Sequence, residues 1–276
     1  MYRKVWNRCQ GAICAINFYT AKGIRYDSVT GFKYGHFIVT DDMVYKIDRA
    51  HEVQIAFMGE DGVTIKASVK ITEKDFKSRI VRGIKENIPG FALIDVDFPQ
   101  FDGIPSLKLS SRESTPVATP IAVIGHQMEY NNIAIKTGIV SSYSKQNGTK
   151  YIQFDAAIDR GNSGSPLIDV ETGDVVGIVG HRLASVVEGH KKMMQIINNN
   201  LTMLKNAEGR VQLQDIDPIQ VLIANQNQIK YIAKEFYKTA SIMFGFALDI
   251  NLVSEYFDLT ELEKDRNVEL VTVYRQ

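Results

Sequence analysis

The stretch Asp155-Ala-Ala-Ile-Asp-Arg-Gly-Asn-Ser-Gly-Ser-Pro-Leu167 places a serine, Ser163, between two glycines, Gly161 and Gly164. Glycines on both sides allow the backbone angles and the close backbone approach that a tight turn demands. Apolar runs lie before and after the turn, and a further run, Val175–Val179, follows after a short break. The stretch therefore predicts a serine that is held in a turn between β-strands.

The composition is that of a chain with a substantial apolar core. Of 276 residues, 45% are hydrophobic, which suits one large β domain or two fused barrels. Lysine plus arginine and aspartate plus glutamate number 32 each, so no overall charge attracts nucleic acid or an anionic membrane. The sequence has no secretory-signal pattern and no apolar run near the roughly 18 residues of a spanning helix. We expect a soluble, cytoplasmic protein that binds neither nucleic acid nor membrane.

Short alternating apolar runs, separated by Gly, Asp and Pro, predict an all-β pattern in two series. The first series is Ala12–Tyr19, Phe37–Thr40, Val53–Phe57, Thr64–Val69 and Phe91–Val96. The second series is Pro120–Gly125, Ile133–Val140, Tyr151–Phe154, Ser165–Asp169 and Val175–Val179. Two series of similar size fit a double barrel better than a single sheet, with residues 100–118 as the link.

Helical periodicity begins only after the second series. Apolar residues recur at steps of three and four in two segments, which are Met193, Met194, Ile196, Ile197, Leu201 and Leu204, and then Ile219, Leu222, Ile223, Ile229, Ile232 and Phe236. Glu208-Gly209 is expected to end the first helix, and Asp217 before Pro218 to cap the second. We expect the apolar stripes to pack on each other and on the barrel rather than to form a ligand groove.

The turn around Ser163, with its flanking strands, resembles the nucleophile loop of chymotrypsin-like serine proteases, most closely of the bacterial HtrA/Deg branch. Residues 242–253 resemble the strand and helix start that close the second barrel in that branch. An α/β-hydrolase elbow fits poorly because it requires Gly-x-Ser-x-Gly between a strand and a helix. A purely structural turn remains the other alternative.

The resemblance implies an all-β fold with added helices, namely a chymotrypsin-like double six-stranded antiparallel β-barrel with a helical-hairpin insertion and a C-terminal helix. The first barrel is expected over residues 1–105, and the nucleophile-loop part of the second barrel over residues 106–185. The helical-hairpin insertion is expected over residues 186–240, and the closing strand with the C-terminal helix over residues 241–276.

The resemblance also implies roles for single residues. Ser163 takes the nucleophile position, and the backbone N–H groups of Gly161 and Ser163 take the positions of the oxyanion hole. The family histidine position falls on Met43, whose thioether cannot accept a proton. The family aspartate position falls on Gly90, and Gly180 stands where relatives often carry a serine that supports the aspartate. The resemblance thus implies a protease fold with an incomplete triad.

The resemblance further implies a site for an extended peptide. In relatives the strand after the nucleophile region pairs with the substrate backbone, and here that edge is Gly180-His181-Arg182. The pocket floor falls on Ala157, which favours a small or apolar guest. Arg182 is compatible with three roles, which are obstructing the entry, pairing with an acidic group, and lying in solvent. The helix pair could cap this edge, form a dimer or dock a partner.

Two functions follow. The favoured one is a catalytically inactive pseudoprotease that binds a peptide or a partner protein. The alternative is an active serine endopeptidase, a hydrolase in which Ser163 uses a relocated histidine base, His126 or His181. No metal is expected, because the two cysteines have no histidine at ligand spacing. No cofactor is expected either, because the sequence has no phosphate-binding or dinucleotide-binding motif.

Overall fold

A computed structural model describes residues 1–83, 90–146, 148–180, 184–210, 217–239 and 244–257 of the chain. The chain divides into two compact units, one formed by residues 1–181 together with 242–276 and the other by residues 182–241. The first unit is mostly β, and the second is a pair of helices.

An antiparallel sheet of seven strands forms the first half of the larger unit. Its strands are β1 Ile13–Tyr19, β2 Arg25–Tyr34, β3 Phe37–Asp41, β4 Glu52–Met58, β5 Ile65–Thr72, β6 Ile80–Arg82 and β7 Phe91–Asp95, in the order β5-β4-β1-β2-β3-β7-β6. Helix α1, Tyr2–Cys9, precedes the sheet, and helix α2, Glu73–Ser78, lies between β5 and β6 along the chain.

A closed barrel of six strands forms the second half. Its strands are β8 Pro120–Gln127, β9 Asn132–Gln146, β10 Thr149–Phe154, β11 Pro166–Asp169, β12 Val175–Val179 and β13 Gly245–Asp249, in the order β10-β13-β12-β11-β8-β9. The inward side chains, among them Ile121, Phe154, Leu167 and Ala247, form one buried apolar cluster. A helix follows β13 over residues 251–257.

These observations confirm the predicted mostly β fold with added helices. The barrel has the six strands that were expected, whereas the first half is a seven-stranded sheet instead of a six-stranded barrel. Strands β2 and β6 and helix α1 lie in segments where the apolar pattern did not predict an element. Within β2, Gly31 leaves room for the neighbouring strand, since a Cβ at this position would lie 2.4 Å from Ile38 Cγ2.

The smaller unit consists of α3, Ala184–Ala207, and α4, Pro218–Thr239. The predicted start of α4 is confirmed, because the Ile219 N–H donates to Asp217 Oδ1 at 2.8 Å. The two helices are antiparallel, as shown by the hydrogen bond of Lys230 Nζ to Asn198 Oδ1 and the stacked rings of His190 and Tyr237.

The apolar stripes of this pair are only partly covered, which corrects the prediction that they pack throughout. Ile197, Leu201 and Ala233 are buried, with Met194 and Ile223 packed against them. The remaining large apolar side chains of the stripes are largely exposed and include Met193, Ile196, Leu222, Ile229 and Ile232. Among the described helices, none is long and apolar enough to cross a membrane.

Candidate functional site

Ser163 lies in the loop between β10 and β11, where the barrel meets the first sheet. The Thr30 N–H donates to the carbonyl of Ser163 at 2.8 Å, and Thr30 Oγ1 donates to the carbonyl of Gly161 at 2.6 Å. Thr40 Oγ1 in turn donates to the Thr30 carbonyl at 2.6 Å. Two threonines of neighbouring strands therefore hold the serine loop against the first sheet.

The two glycines of the loop are required by their backbone angles and by their surroundings. Gly161 has a φ of 95° and Gly164 a φ of 83°, which is a region that favours glycine. A Cβ on Gly164 would lie 2.1 Å from both the Thr30 carbonyl oxygen and Thr40 Oγ1. The glycines thus allow the close approach that the sequence analysis predicted for this turn.

Asn162 fixes the loop from the barrel side. Its side chain is fully buried, and its Oδ1 accepts hydrogen bonds from the Asp159 N–H and from Lys136 Nζ, both at 2.9 Å. Its Nδ2 donates to the His126 carbonyl at 3.0 Å. Since every polar atom of this amide is used, Asn162 positions the loop and is not available for a ligand.

The backbone donors of the predicted oxyanion hole remain unused within the described parts of the chain. Neither the Gly161 nor the Ser163 N–H forms a hydrogen bond there, whereas the next N–H, that of Gly164, donates to the Val179 carbonyl at 2.8 Å. Two unpaired N–H groups in a glycine turn can bind a carbonyl oxygen or an anion.

Met43 and Gly90, to which the sequence resemblance assigns the family histidine and aspartate positions, lie on segments that contact each other. Gly90 and Asp42 exchange two hydrogen bonds, in which the Gly90 N–H donates to Asp42 Oδ2 at 3.2 Å and the Asp42 N–H donates to the Gly90 carbonyl at 3.3 Å. Met43 follows Asp42 directly, is partly buried and packs against an apolar cluster of the first sheet. Neither Met43 nor Gly90 offers a group that can take a proton from Ser163.

A carboxyl that the sequence analysis did not single out lies beside Ser163. Asp41, at the end of β3, is only 7% exposed, and its Oδ1 accepts the Met43 N–H at 2.7 Å. Burial raises the pKa of Asp41 from its ordinary 3.8 to about 7, and the charge of Asp42 adds to this rise. The Met43 N–H, the adjacent Ser163 hydroxyl and Lys46 oppose the rise.

The Ser163 hydroxyl itself is almost completely buried. It influences the pKa of Asp41 by proximity, but it does not reach full hydrogen-bond geometry with that carboxyl or with any other described residue. The neighbouring carboxyl of Asp42 serves a different purpose, because it forms a buried ion pair with Arg82 at 2.8 Å. Asp41 is therefore the acidic group that is placed to interact with Ser163.

His126 is completely buried. Its Nδ1 lies 2.9 Å from Ser28 Oγ, and that hydroxyl donates to Asn17 Oδ1 at 2.8 Å, so Nδ1 carries the proton that Ser28 accepts. Nε2 has no hydrogen-bond partner among the described residues. Burial lowers the pKa of His126 to about 4, and the charge of Arg25 adds to the decrease. This ring is thus neutral and makes no bond to the Ser163 hydroxyl.

The structure places the remaining predicted residues only in part. Ala157 is exposed in the serine loop. The Gly180 N–H donates to the Phe246 carbonyl on β13 at 2.9 Å, and a Cβ on Gly180 would lie 3.8 Å from Asp41 Oδ2. His181 and Arg182 lie outside the described residues. The described residues contain no cluster of three side chains suited to a metal.

Comparison with known families and proteins yields one family and several relatives. A family model described as "Trypsin-like peptidase domain" matches residues 26–178. The periplasmic serine endoprotease DegP of Salmonella typhimurium is 28% identical over 161 residues, which is 56% of this chain and 28% of that protein. A probable periplasmic serine protease do/HhoA-like of Haemophilus influenzae is 27% identical over 126 residues, 44% of this chain and 25% of that protein. The chain thus spans about a quarter of the length of these relatives.

Among solved structures, a variant of the HtrA-type protease AlgW with a tripeptide has a similar fold. Its TM-score is 0.57 at 14% sequence identity, and the match covers 94% of this chain and 62% of the other. The likeness extends to the fold and leaves open which chemistry the site performs.

Proposed function

Because the chain belongs to the trypsin-like peptidase domain family and is similar to its HtrA/Deg branch, we propose that it binds an extended peptide or an unfolded protein segment without the histidine-dependent cleavage of that family. One observation carries the proposal. The Ser163 hydroxyl has no hydrogen-bond partner in the described residues. The sequence resemblance adds that the positions of the base and the orienting acid fall on Met43 and Gly90.

The size of the expected catalytic defect decides between binding and turnover. In a serine protease studied residue by residue, loss of the histidine alone lowered turnover by about 10⁶-fold, and binding effects and the oxyanion hole accounted for what remained. Both the serine turn and its unused N–H groups are present here. The site can therefore still bind a peptide carbonyl, while ordinary peptidase turnover is lost.

The chemistry of the bound segment follows from the residues around the serine. A peptide carbonyl oxygen would accept hydrogen bonds from the Gly161 and Ser163 N–H groups. The side chain that precedes this carbonyl would point to Ala157, which leaves room for a small or apolar group. No charged side chain is required at this point, so we expect a preference for alanine or valine there.

Binding can be tested with fluorescent extended peptides that differ only at this side chain. We expect saturable binding by anisotropy, strongest for alanine or valine, and intact peptide by mass spectrometry after the same incubation. Ala157→Phe should weaken binding at least tenfold, because the ring fills the pocket. Ala21→Phe is the matched control, since Ala21 is also exposed but lies in the turn between β1 and β2. Cleavage that disappears in Ser163→Ala would overturn the proposal.

A second candidate function has its own observation in its favour, which is the Asp41 carboxyl beside Ser163. With its pKa of about 7, this group is ionised in roughly half of the molecules at neutral pH. Its ionised form can accept the Ser163 proton while Oγ bonds to an electrophilic carbon. The second candidate is thus a slow serine hydrolase in which Asp41, and not His126, acts as the base.

A fluorophosphonate probe separates the two candidates. In that reaction an O–P bond forms at Ser163, fluoride leaves, and the hydroxyl proton passes to Asp41. The second candidate requires labelling that rises with pH through about 7, that is lost in Asp41→Asn and Ser163→Ala, and that persists in His126→Asn. If the wild type is not labelled above the level of Ser163→Ala at any pH, the hydrolase candidate is rejected and peptide binding remains as the proposed function.

A further inference from the structure

The helix pair has a second apolar face besides the one through which its helices contact each other. The contact face takes every third or fourth residue and comprises His190, Met194, Ile197 and Leu201 on α3, and Ile223, Lys230, Ala233 and Tyr237 on α4. Beside the contact face, and turned from it by about 100° on each helix, lies another regular set, which we call the outer stripes. They comprise Met193, Ile196, Asn200 and Met203 on α3, and Leu222, Asn225, Ile229 and Ile232 on α4.

Both outer stripes are exposed and have the spacing of a coiled-coil seam. Steps of three and four correspond to the a and d positions of a heptad. The exposed fractions of Ile196, Met203 and Ile232 are 60%, 71% and 63%. Apolar side chains on one helix face at this spacing are normally covered by another helix. The contact face of the pair cannot cover them, because it is already occupied by the partner helix.

The two outer stripes lie on the same side of the helix pair. Each residue of a right-handed helix is rotated by about 100° from the one before it. In an antiparallel pair, residues that precede the contact residues by one position in the sequence therefore point to the same side on both helices. The opposite side is polar or small apart from Tyr231 and carries Gln195, Asn198, Thr202, Lys205, Asn227 and Lys234. The pair thus has one continuous apolar face and one polar face.

We propose that this apolar face binds the same face of a second copy of the chain, which yields a four-helix bundle around a twofold axis. The proposal is independent of the peptide-binding function. The outer stripes contain no Asp, Glu, Lys or Arg, so two identical faces meet without repulsion between like charges. A partner with a charged recognition surface would find no opposite charge on these stripes.

The position of the two asparagines supports a second copy as the occupant. Each stripe has a single asparagine among apolar residues, which is the residue that coiled coils use to set register. The pairs Asn198–Lys230 and His190–Tyr237 place Asn225 level with residues 202 and 203. Asn225 is thus about 4 Å along the axis from the level of Asn200, at 1.5 Å per residue.

A twofold axis parallel to the helices brings these asparagines together. Helix α3 of one copy then faces α4 of the other, and Asn200 of each copy comes within hydrogen-bond reach of Asn225 of the second copy. Both polar side chains are satisfied in this way, as burial requires. A partner without an asparagine at the corresponding level would leave two amides buried and unpaired.

The area of the face suffices for a specific dimer. The exposed parts of its six large apolar side chains amount to roughly 600 Å² on each copy, or about 1,200 Å² in total, which is the lower limit of stable interfaces. The bundle would also enlarge the small core of the pair, in which Ile197, Leu201 and Ala233 are the buried members. Four helices around a common core are a stable arrangement, whereas the pair alone leaves residues such as Ile196 and Ile232 largely exposed.

The experiment is sedimentation of the full chain across the micromolar range. We expect a reversible dimer in the wild type. The double variant Ile196→Lys with Ile229→Lys should raise the dimer dissociation constant by about 100-fold or more, because it buries charges in the centre of the face. The matched control is Thr202→Lys with Asn227→Lys, which adds the same charges to the polar face and should leave the dimer unchanged. A monomeric wild type, or equal effects of both variants, would overturn the proposal.

A cysteine experiment keeps the proposal testable if the lysine variants fail to fold. Chains with Asn200→Cys and chains with Asn225→Cys are mixed and oxidised. We expect a disulfide-linked dimer in the mixture and none in either variant alone. Absence of this product from the mixture would contradict the arrangement. Binding of a monomeric wild type to phosphatidylcholine–phosphatidylglycerol vesicles, lost in Ile196→Lys with Ile229→Lys, would instead assign the face to a membrane surface and overturn the dimer.

Discussion

At the scale of single residues, Asp41 and His126 respond to pH in opposite directions. The folded state holds the Asp41 proton up to about pH 7, whereas the unfolded chain releases it near 3.8. The free energy of unfolding therefore falls as the pH rises from about 4 to 7. For His126 the folded pKa of about 4 lies below the ordinary 6.5, so stability is lost as the pH falls from 6.5 to 4. In the wild type the two effects largely cancel.

Replacing Asp41 separates these effects. We expect Asp41→Asn to raise the free energy of unfolding at pH 8 by about 2 kcal/mol, since a buried charge is removed and the Oδ1 that accepts the Met43 N–H is kept. The gain should shrink as the pH falls and vanish only below about pH 3.8, where Asp41 is protonated in the unfolded state as well. Urea unfolding at pH 8, 6 and 4.5 tests this decrease. Asp48→Asn is the control, because the Asp48 side chain is largely exposed, and a gain of equal size there would contradict the explanation.

The His126 site makes the complementary prediction. We expect His126→Asn to lower the free energy of unfolding at pH 7.5 by about 2 kcal/mol through lost packing, while the short amide can still donate to Ser28. At pH 4.5 the deficit should shrink by about 1 kcal/mol or more. In the wild type the unfolded imidazole binds a proton at this pH while the folded ring largely does not, which lowers wild-type stability, and the variant has no imidazole to lose stability in this way. Urea unfolding at both pH values tests this. A deficit that is independent of pH would show that His126 has an ordinary pKa.

The sequence could have pointed to Asp41 because it lies two residues before Met43, to which the resemblance assigns the family histidine position, in Thr40-Asp41-Asp42-Met43. The sequence alone could not assign different roles to the two acids. That difference arises because Asp42 pairs with Arg82, forty residues away, while Asp41 faces the serine loop of the barrel. Long-range contacts of this kind leave no local pattern in a single sequence.

At the scale of elements, the contact between the serine loop and the first sheet leaves little room for a larger side chain at Gly164. We expect Gly164→Ala to destabilise the protein by about 3 kcal/mol or more, because the Cβ would meet Thr30 and Thr40 at 2.1 Å in addition to the strain of the positive φ. Gly35→Ala isolates the strain, since Gly35 has a φ of 59° and no atom within 4 Å of the added Cβ. It should cost about 1 kcal/mol. Thermal unfolding of both variants tests the difference.

The elements that the sequence predicted are those with a strong local signal. The runs that became β1, β3, β4 and β12 are short stretches rich in apolar residues, and the cap at Asp217 precedes Pro218 directly. Strand β2 was missed because Asp27, Ser28 and Gly31 interrupt its apolar pattern, and its pairing partners on both sides supply the stability instead. Helix α1 was missed because only Val5 and Cys9 face the core, which is too few residues to show a period.

At the scale of the whole molecule, the helical unit is inserted between two strands that are hydrogen-bonded neighbours. The Gly180 N–H donates to the Phe246 carbonyl, and Val179 on β12 is level with Ala247 on β13. We expect a variant in which a short Gly-Ser loop replaces residues 184–239 to fold with an unchanged barrel and to be monomeric. Far-ultraviolet circular dichroism and sedimentation test this. Loss of cooperative unfolding would show that the helices are required for the barrel.

Family membership and the barrel could be predicted because a long segment with many strands carries the resemblance. The cytoplasmic location stays a prediction, and the two curated relatives are periplasmic by name. The exposure of the outer stripes could not be predicted, since Ile196 and Ile197 are both isoleucines at helical spacing and only the helix crossing decides which of them is covered.

The late position of β13 in the chain has a consequence for synthesis on the ribosome. Strands β10 and β12 emerge long before the strand that joins them. During the seconds needed to translate the intervening residues, the nascent barrel has two open edges that can pair with other newly made chains. Chaperones that shield such edges would therefore matter most in that interval, before the last strand leaves the exit tunnel.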